Sequence, residues 1–203
     1  MPSNPSRTKP RSKSSGQVRI IGGSFRGRKL GVVDVDGLRP TGDRQRETLF
    51  NWLQARIAGS RCLDLFAGTG ALGIEAVSRG AASVILIEKD VNAATSLAEV
   101  VASWPHAGRL VLERGTAEGF LAKHAGESFD IVFIDPPFAH HLQRPILDAL
   151  ADGHLCDGAM VYVEGPVGEL TDGQLPRGYS MVKQRRYGDV SAWLLEFLSG
   201  SRN

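Results

Sequence analysis

The sequence predicts an α/β domain in which a mostly parallel sheet carries helices on both faces. Three observations predict it. From residue 61 onward, short apolar runs alternate with segments of helical periodicity, and glycine turns separate them. The length of 203 residues suits one such domain and leaves little for a second. An apolar share of 42% and a charged share of 23% are those of an ordered, globular chain that can bury a core.

The elements follow in order. Residues 1–16 are rich in Ser, Pro, Lys and Arg and offer nothing to bury, so they read as a solvated tail. "VRIIGGSFRGRKL" (18–30) reads as two short strands around Gly22-Gly23, a pair that favours a hairpin turn. In "GLRPTGDRQRETLFNWLQARI" (37–57), Pro40 and Thr41 start a helix, and Leu49, Phe50, Leu53 and Ile57 recur at helical spacing. Strands are expected at 61–65, 83–88, 109–113, 129–134 and 159–164, and helices at 71–79, 90–103, 116–124 and 141–151. The end differs: 179–187 and 190–198 read as strands joined at Gly188-Asp189, an antiparallel hairpin that closes the sheet. The expected organisation is a basic tail (1–17), a hairpin-and-helix extension (18–58) and a main domain (59–203).

Charge is lopsided although the net is only +2. Residues 1–33 hold eight basic side chains and no acid, while the rest of the chain holds 16 basic and 22 acidic ones, a net of −6. A cationic arm on an acidic body fits phosphate backbones. Arg19, Arg26, Arg28 and Lys29, on or beside the hairpin, are the candidate nucleic-acid contacts. Cys62 and Cys156 form no C-x-x-C pair, which argues against a zinc or disulfide scaffold and for a reduced, cytoplasmic setting. No apolar run approaches the roughly 20 residues of a membrane helix, and no apolar core follows the N-terminal basic residues.

"CLDLFAGTGALGIEA" places Asp64, Phe66, Ala67, Gly68, Thr69 and Gly70 where the first strand of the repeat meets a helix. Glycines let a backbone approach a ligand, and a helix start offers free amides. Glu88, at the next strand end and followed by Lys89, sits at about the offset (~20 residues) at which an acid meets ribose hydroxyls. Gly68-x-Gly70-x-x-Gly73 also matches a dinucleotide fingerprint literally. Asp64 instead suits a cationic amino group, so S-adenosylmethionine, an adenosyl ligand bearing an amino acid, fits both acids. A dinucleotide and a fold that binds neither remain as alternatives.

"IVFIDPPFAH" (131–140) ends a strand on Asp135 and leaves it through two prolines, which cannot continue a ladder. An exocyclic amine on a nucleobase is a poor nucleophile, because its lone pair is delocalised into the ring. The Asp135 carboxylate and the Pro136 carbonyl are two acceptors that could draw the amine hydrogens aside and aim the lone pair. Pro137 stiffens the exit, and Phe138 offers a stacking face worth roughly 1–3 kcal/mol. The bland reading is a strand terminator with an exposed acid and a core Phe.

Together "RIIGGSFRGRKL", "LRPTGDRQRETLFNWL", "LDLFAGTGALGIEAVSRGA", "LIEKD" and "VFIDPPF" resemble the bacterial 16S rRNA (guanine-966-N2)-methyltransferases, the RsmD type, over about residues 18–198. The resemblance implies a class I S-adenosylmethionine-dependent methyltransferase fold, Rossmann-like, with seven strands and a reversed last one. It implies methyl transfer to N2 of a guanine of 16S rRNA, presented in an assembled or partly assembled small subunit. A monomer is the default for this layout, and no metal is expected. Thr41, Arg44 and Glu47 would lie near the cofactor's methionine end; the bland reading is a capped amphipathic helix with an exposed charged face. Thr116 and Ala117 stand where many methyltransferases place an adenine-binding acid. "RRYGDVSAW" would rim the base pocket, and Lys183, Arg185 and Arg186 could touch phosphate or simply solvate an edge strand. His140 and His141 have no partner ligands at metal spacing. Asp-Pro-Pro-Phe alone would also suit DNA adenine-N6 enzymes, and a non-catalytic RNA-binding factor could keep the fold.

Overall fold

The computed structural model describes residues 17–31, 42–136 and 142–200. The expectations for the tail, for Arg39, Pro40 and Thr41, and for Pro137, Phe138, His140 and His141 lie outside the described residues. Two short strands, β1 (Gln17–Arg19) and β2 (Lys29–Gly31), pair antiparallel. Helix α1 (Asp43–Trp52) follows them. The repeat then runs β3 (Arg61–Asp64), α2 (Ala71–Ser78), β4 (Ser83–Glu88), α3 (Val91–Ser103), β5 (Leu110–Arg114), α4 (Ala117–Lys123), β6 (Phe129–Ile134), α5 (Gln143–Ala151) and β7 (Leu155–Pro166). The hairpin β8 (Tyr179–Tyr187) and β9 (Val190–Phe197) completes it.

These strands form a seven-stranded sheet in the order β5-β4-β3-β6-β7-β9-β8. Pairs β3–β4, β3–β6, β4–β5 and β6–β7 are parallel, and β9 runs antiparallel to both neighbours. Strand alternation sends successive side chains to opposite faces. Cys62, Ile131, Phe133, Tyr162 and Leu194 pack beneath α1, α2 and α3, joining Leu49, Phe50, Ile74 and Leu97. Leu63, Val132, Val161, Trp193 and Leu195 pack beneath α4 and α5, joining Phe120, Ile146 and Leu147. The expected helices and strands from residue 61 onward are all present. Strand β7 begins at Leu155, earlier than the expected 159, with Asp157 and Gly158 (φ +76°) inside it. Asp157 is used there, accepting from Ser199 N at 2.8 Å and Ser199 Oγ at 2.9 Å.

The pair Gly22-Gly23 is not a two-residue turn. Residues 20–28 connect β1 to β2 through a 3-10 turn at Gly23–Phe25, and the loop is closed by Gly27 N–H to Ile20 O at 2.8 Å. The glycines serve close approach instead. A Cβ on Gly22 would lie 2.4 Å from the Arg79 guanidinium, and one on Gly23 (φ +76°) would lie 1.9 Å from the Ser78 carbonyl oxygen. Ser78 clamps the loop end, accepting from Phe25 N at 2.9 Å and donating to Gly22 O at 2.6 Å.

Glu75 fastens this extension to the sheet domain. Its side chain is fully buried in α2 and accepts from Ile21 N (3.2 Å), Gly22 N (3.1 Å), Arg46 Nη1 (3.2 Å) and Arg79 Nε and Nη2 (2.9 and 2.7 Å). Arg46, fully buried on α1, also donates to Arg19 O at 2.8 Å and to Asp43 Oδ1 at 2.6 Å. One acid thus ties the hairpin, α1 and α2 together. Among the described residues, no helix is long and apolar enough to cross a membrane.

Candidate active site

The turn after β3 is folded by its glycines. Gly68 (φ +52°) and Gly70 (φ +74°) occupy conformations that side chains rarely adopt. Ala67 N–H reaches Ile87 O on β4 at 2.9 Å, and Gly70 N–H reaches Ala67 O at 2.7 Å. Gly70 caps α2 without a side-chain hydrogen bond. Gly73 has another job: a Cβ there would meet Leu86 at 2.3 Å, so it lets α2 lie against β4. The third glycine of the literal dinucleotide pattern is therefore a packing residue, and the first two shape the turn.

Three acids line the carboxyl ends of the central strands on the face that carries α1 and α2. Asp64 ends β3, and Glu88 ends β4, two residues beyond Leu86, the partner of Asp64. Asp135 follows β6, two residues beyond Phe133, which also pairs with Asp64. Glu88 is tied to the turn itself, accepting from Gly68 N at 2.8 Å and Asp90 N at 2.7 Å. Asp64 is 1% exposed and accepts from Gly73 N at 3.2 Å through Oδ2. Its other oxygen, Oδ1, is buried and makes no hydrogen bond of ordinary geometry among the described residues, although the Phe66 amide lies close enough to act on the carboxyl. Burial first, then the Asp135 charge, push the Asp64 carboxyl up to about 7, with Glu88 adding to the rise and the Gly73 and Phe66 amides opposing it. A buried carboxylate with an orphaned oxygen is costly unless something cationic completes it.

The other expected residues fall as follows. Phe66 and Thr69 are half-buried, and Ala67 is buried in the turn. Lys89 is exposed beside Glu88. Gly115 N–H bonds Glu88 O at 3.1 Å, which brings Thr116 and Ala117 to the same end of the sheet. Thr116 is the α4 N-cap, accepting from Gly119 N at 3.1 Å, and Ala117 is buried. Pro136 is buried and Asp135 half-buried at the exit of β6. Arg44 and Glu47 lie exposed on α1. Arg19, Arg26, Arg28 and Lys29 are all exposed on the hairpin, and the Arg28 guanidinium stacks 5.3 Å from the Trp104 ring and 5.7 Å from that of Phe25.

Sequence reasoning missed a polar group one strand beyond Asp135. Glu164, on β7 and 3% exposed, accepts from the Tyr162 hydroxyl at 2.6 Å and from Gln45 Nε2 on α1 at 3.5 Å. The one available signal was an acid inside the apolar run "MVYVEG". Tyr187, in the "RRYGDVSAW" run, contributes a buried hydroxyl with no partner among the described residues.

Comparison with known proteins gives consistent findings. The family model described as "Conserved hypothetical protein 95" matches residues 18–196. A ribosomal RNA small subunit methyltransferase D from Escherichia coli strain K12 is 46% identical over 186 residues, which cover 90% of this chain and 91% of that protein. Its namesake from Haemophilus influenzae is 39% identical over 183 residues, covering 88% and 93%. The solved structure of yhhF from Escherichia coli, described as a methyltransferase candidate, superposes with a TM-score of 0.82 at 42% identity, covering 91% of this chain and 99% of that one.

Proposed function

Because this chain belongs to the "Conserved hypothetical protein 95" family, we propose that it transfers a methyl group from S-adenosylmethionine to N2 of a guanine in small-subunit rRNA. The cofactor half of that reading rests on the orphaned, buried Asp64 Oδ1 beside the glycine turn. That atom fits a methionine ammonium, and Glu88, pinned by Gly68 and Asp90, fits ribose hydroxyls. The single observation that carries the reaction is that Asp135 lies across the β3–β6 boundary from Asp64, near enough for its charge to raise the Asp64 carboxyl. An amine held at Asp135 therefore meets the ligand held at Asp64.

When bound, the cofactor supplies a sulfonium-activated methyl group. The chain's own residues do the positioning. The Asp135 carboxylate and Pro136 carbonyl accept the two amine hydrogens and turn the lone pair toward the methyl carbon, and alignment of this kind lowers a displacement barrier strongly. The proton leaves to Asp135 or to water. Phe138 is assigned the stacking face on its place in the sequence. A paired base cannot enter such a crevice, so the guanine is unpaired or flipped. Arg19, Arg26, Arg28 and Lys29 present a cationic edge for the rRNA backbone. An rRNA substrate supports a cytoplasmic setting, and position 966 of 16S rRNA is the target that the sequence resemblance implies.

Labelled S-adenosylmethionine tests the reading on three substrates: small subunits lacking the modification, naked 16S rRNA and duplex DNA. N2-methylguanosine from subunits is expected. N6-methyladenine from DNA, or no incorporation anywhere, overturns it.

Asp64 yields a pH prediction. Its carboxyl lies at about 7 in the folded protein against the usual 3.8, so between these values the folded state binds more protons than the unfolded chain. This group's contribution to stability therefore falls as pH rises through that window. Cofactor affinity should run the opposite way, tightening as Asp64 ionises toward about pH 7. Asp64→Asn should raise the melting temperature of the free protein at pH 8 and abolish the rise caused by S-adenosylmethionine. A variant that melts lower and still responds to the cofactor contradicts the assignment.

A further inference from the structure

We propose that Glu164 reads the N1–H of the target guanine and so sets the enzyme's choice of purine; this rests on the guanine-N2 reading above. The register places it for that role. Phe133 of β6 pairs with Tyr162 of β7, so Asp135 and Glu164 stand two residues beyond a facing pair, side by side at the carboxyl ends of neighbouring strands. Both lie on the face that carries α1. In sheet order the next polar groups on this rim belong to β8, beyond β9: exposed Arg185, level with Glu164 through Ala192, and Tyr187, opposite Val190, with the Arg185 guanidinium 5.6 Å from the Tyr187 ring.

The side chain is built in place. Tyr162 O–H donates to Oε1 at 2.6 Å and Gln45 Nε2 to Oε2 at 3.5 Å, so β7 and α1 fix the carboxylate plane. Gln143, the first residue of α5 after the Asp-Pro-Pro-Phe exit, donates to the Glu164 backbone carbonyl at 3.0 Å. The segment carrying Asp135 is thereby tied to the strand carrying Glu164 on both sides of the exit. Both carboxylate oxygens are thus held in place, and each keeps a lone pair that can accept a second hydrogen bond.

The chemistry of the base supplies that task. Along its pairing edge guanine presents an amine donor at N2, a donor at N1–H and an acceptor at O6. Asp135, Glu164 and Tyr187 offer an acceptor, an acceptor and a donor in the same spatial order, and the buried Tyr187 hydroxyl has no partner among the described residues. Adenine and 2-aminopurine carry a lone pair at N1, which a carboxylate repels. A site built around a substrate N–H rejects an analogue lacking it far more strongly than an apolar pocket rejects a missing methylene.

The test uses the full chain and small subunits assembled with either guanine or 2-aminopurine at the methylated position. 2-Aminopurine keeps the amine at C2 but has neither N1–H nor O6, so the change in the ratio on substituting Glu164 is what isolates N1. The wild type should methylate guanine at least about a hundredfold faster. Glu164→Gln, whose amide can donate to a bare N1, should lose most guanine activity and narrow the guanine-to-2-aminopurine ratio at least tenfold. Its affinity for S-adenosylmethionine should stay at the wild-type value. A merely structural Glu164 would lower both rates together, and an unchanged ratio overturns the proposal. If Glu164→Gln does not fold, the wild type still decides: equal rates on the two bases mean that nothing reads N1, which also overturns it. No methyl on the guanine subunits would instead sink the functional reading beneath it.

Discussion

Asp135→Ala is expected to slow methyl transfer by about a thousandfold or more while leaving affinity for S-adenosylmethionine within about twofold. The two halves come from different strands. Asp135 leaves β6, whereas the turn and the two acids proposed for the cofactor belong to β3 and β4. What links them is charge: Asp135 raises the Asp64 carboxyl, so its removal makes Asp64 easier to ionise at neutral pH. Any change in cofactor affinity should then be a slight tightening. Equilibrium binding of labelled cofactor beside single-turnover methylation of small subunits separates the terms. A tenfold loss of cofactor affinity would move Asp135 from the amine to the cofactor and remove the clamp.

Glu75→Ala carries the largest expected cost in stability, roughly 3–5 kcal/mol. The substitution leaves the Arg46 side chain without its buried counter-charge, only the exposed Asp43 remaining, and it strands the Ile21 and Gly22 amides. In a chain of this size the melting temperature should fall by about 10 °C. The partly exposed pair Arg56–Glu196, 2.8 Å apart, makes a control, since Glu196→Ala should cost no more than about 1 kcal/mol. Hydrogen exchange sharpens the test. The amides of the hairpin should exchange faster in Glu75→Ala than those of β3 and β6, because only the hairpin loses its fastening. Uniform destabilisation would mean that Glu75 serves the α2 core and not the hairpin.

Most strands and helices were legible because their signals are local. "CLDL", "VILIE" and "FDIVFI" are apolar runs bounded by turn residues, and "VNAATSLAEVVAS" starts on Asp90, which caps α3 through Asn92 N and Ala93 N, both at 2.9 Å. The glycine turn was legible for the same reason, since its conformation is written into Gly68 and Gly70 themselves. Residues 20–28 and the start of β7 were misread where a residue's local preference yields to what it packs against. Gly22 and Gly23 look like a turn and are used as a flat surface for α2. Gly158 looks like a break and sits inside a strand whose neighbouring Asp157 is bonded from Ser199.

By itself the sequence determined the sheet-and-helix alternation, the glycine turn with an acid before and after it, and the proline exit at Asp135. Each of these is a property of a few consecutive residues. Only the tertiary structure decided that Glu75 meets Arg46 and the hairpin, and that Glu164 stands beside Asp135. It also decided which acid is left with an orphaned oxygen. Those facts join residues far apart in the chain, such as Gln45 with Glu164, and hydrogen bonds of that separation leave no periodic trace in a sequence. A buried charge can be read from a sequence as an oddity, but its role depends on the partner that folding brings to it.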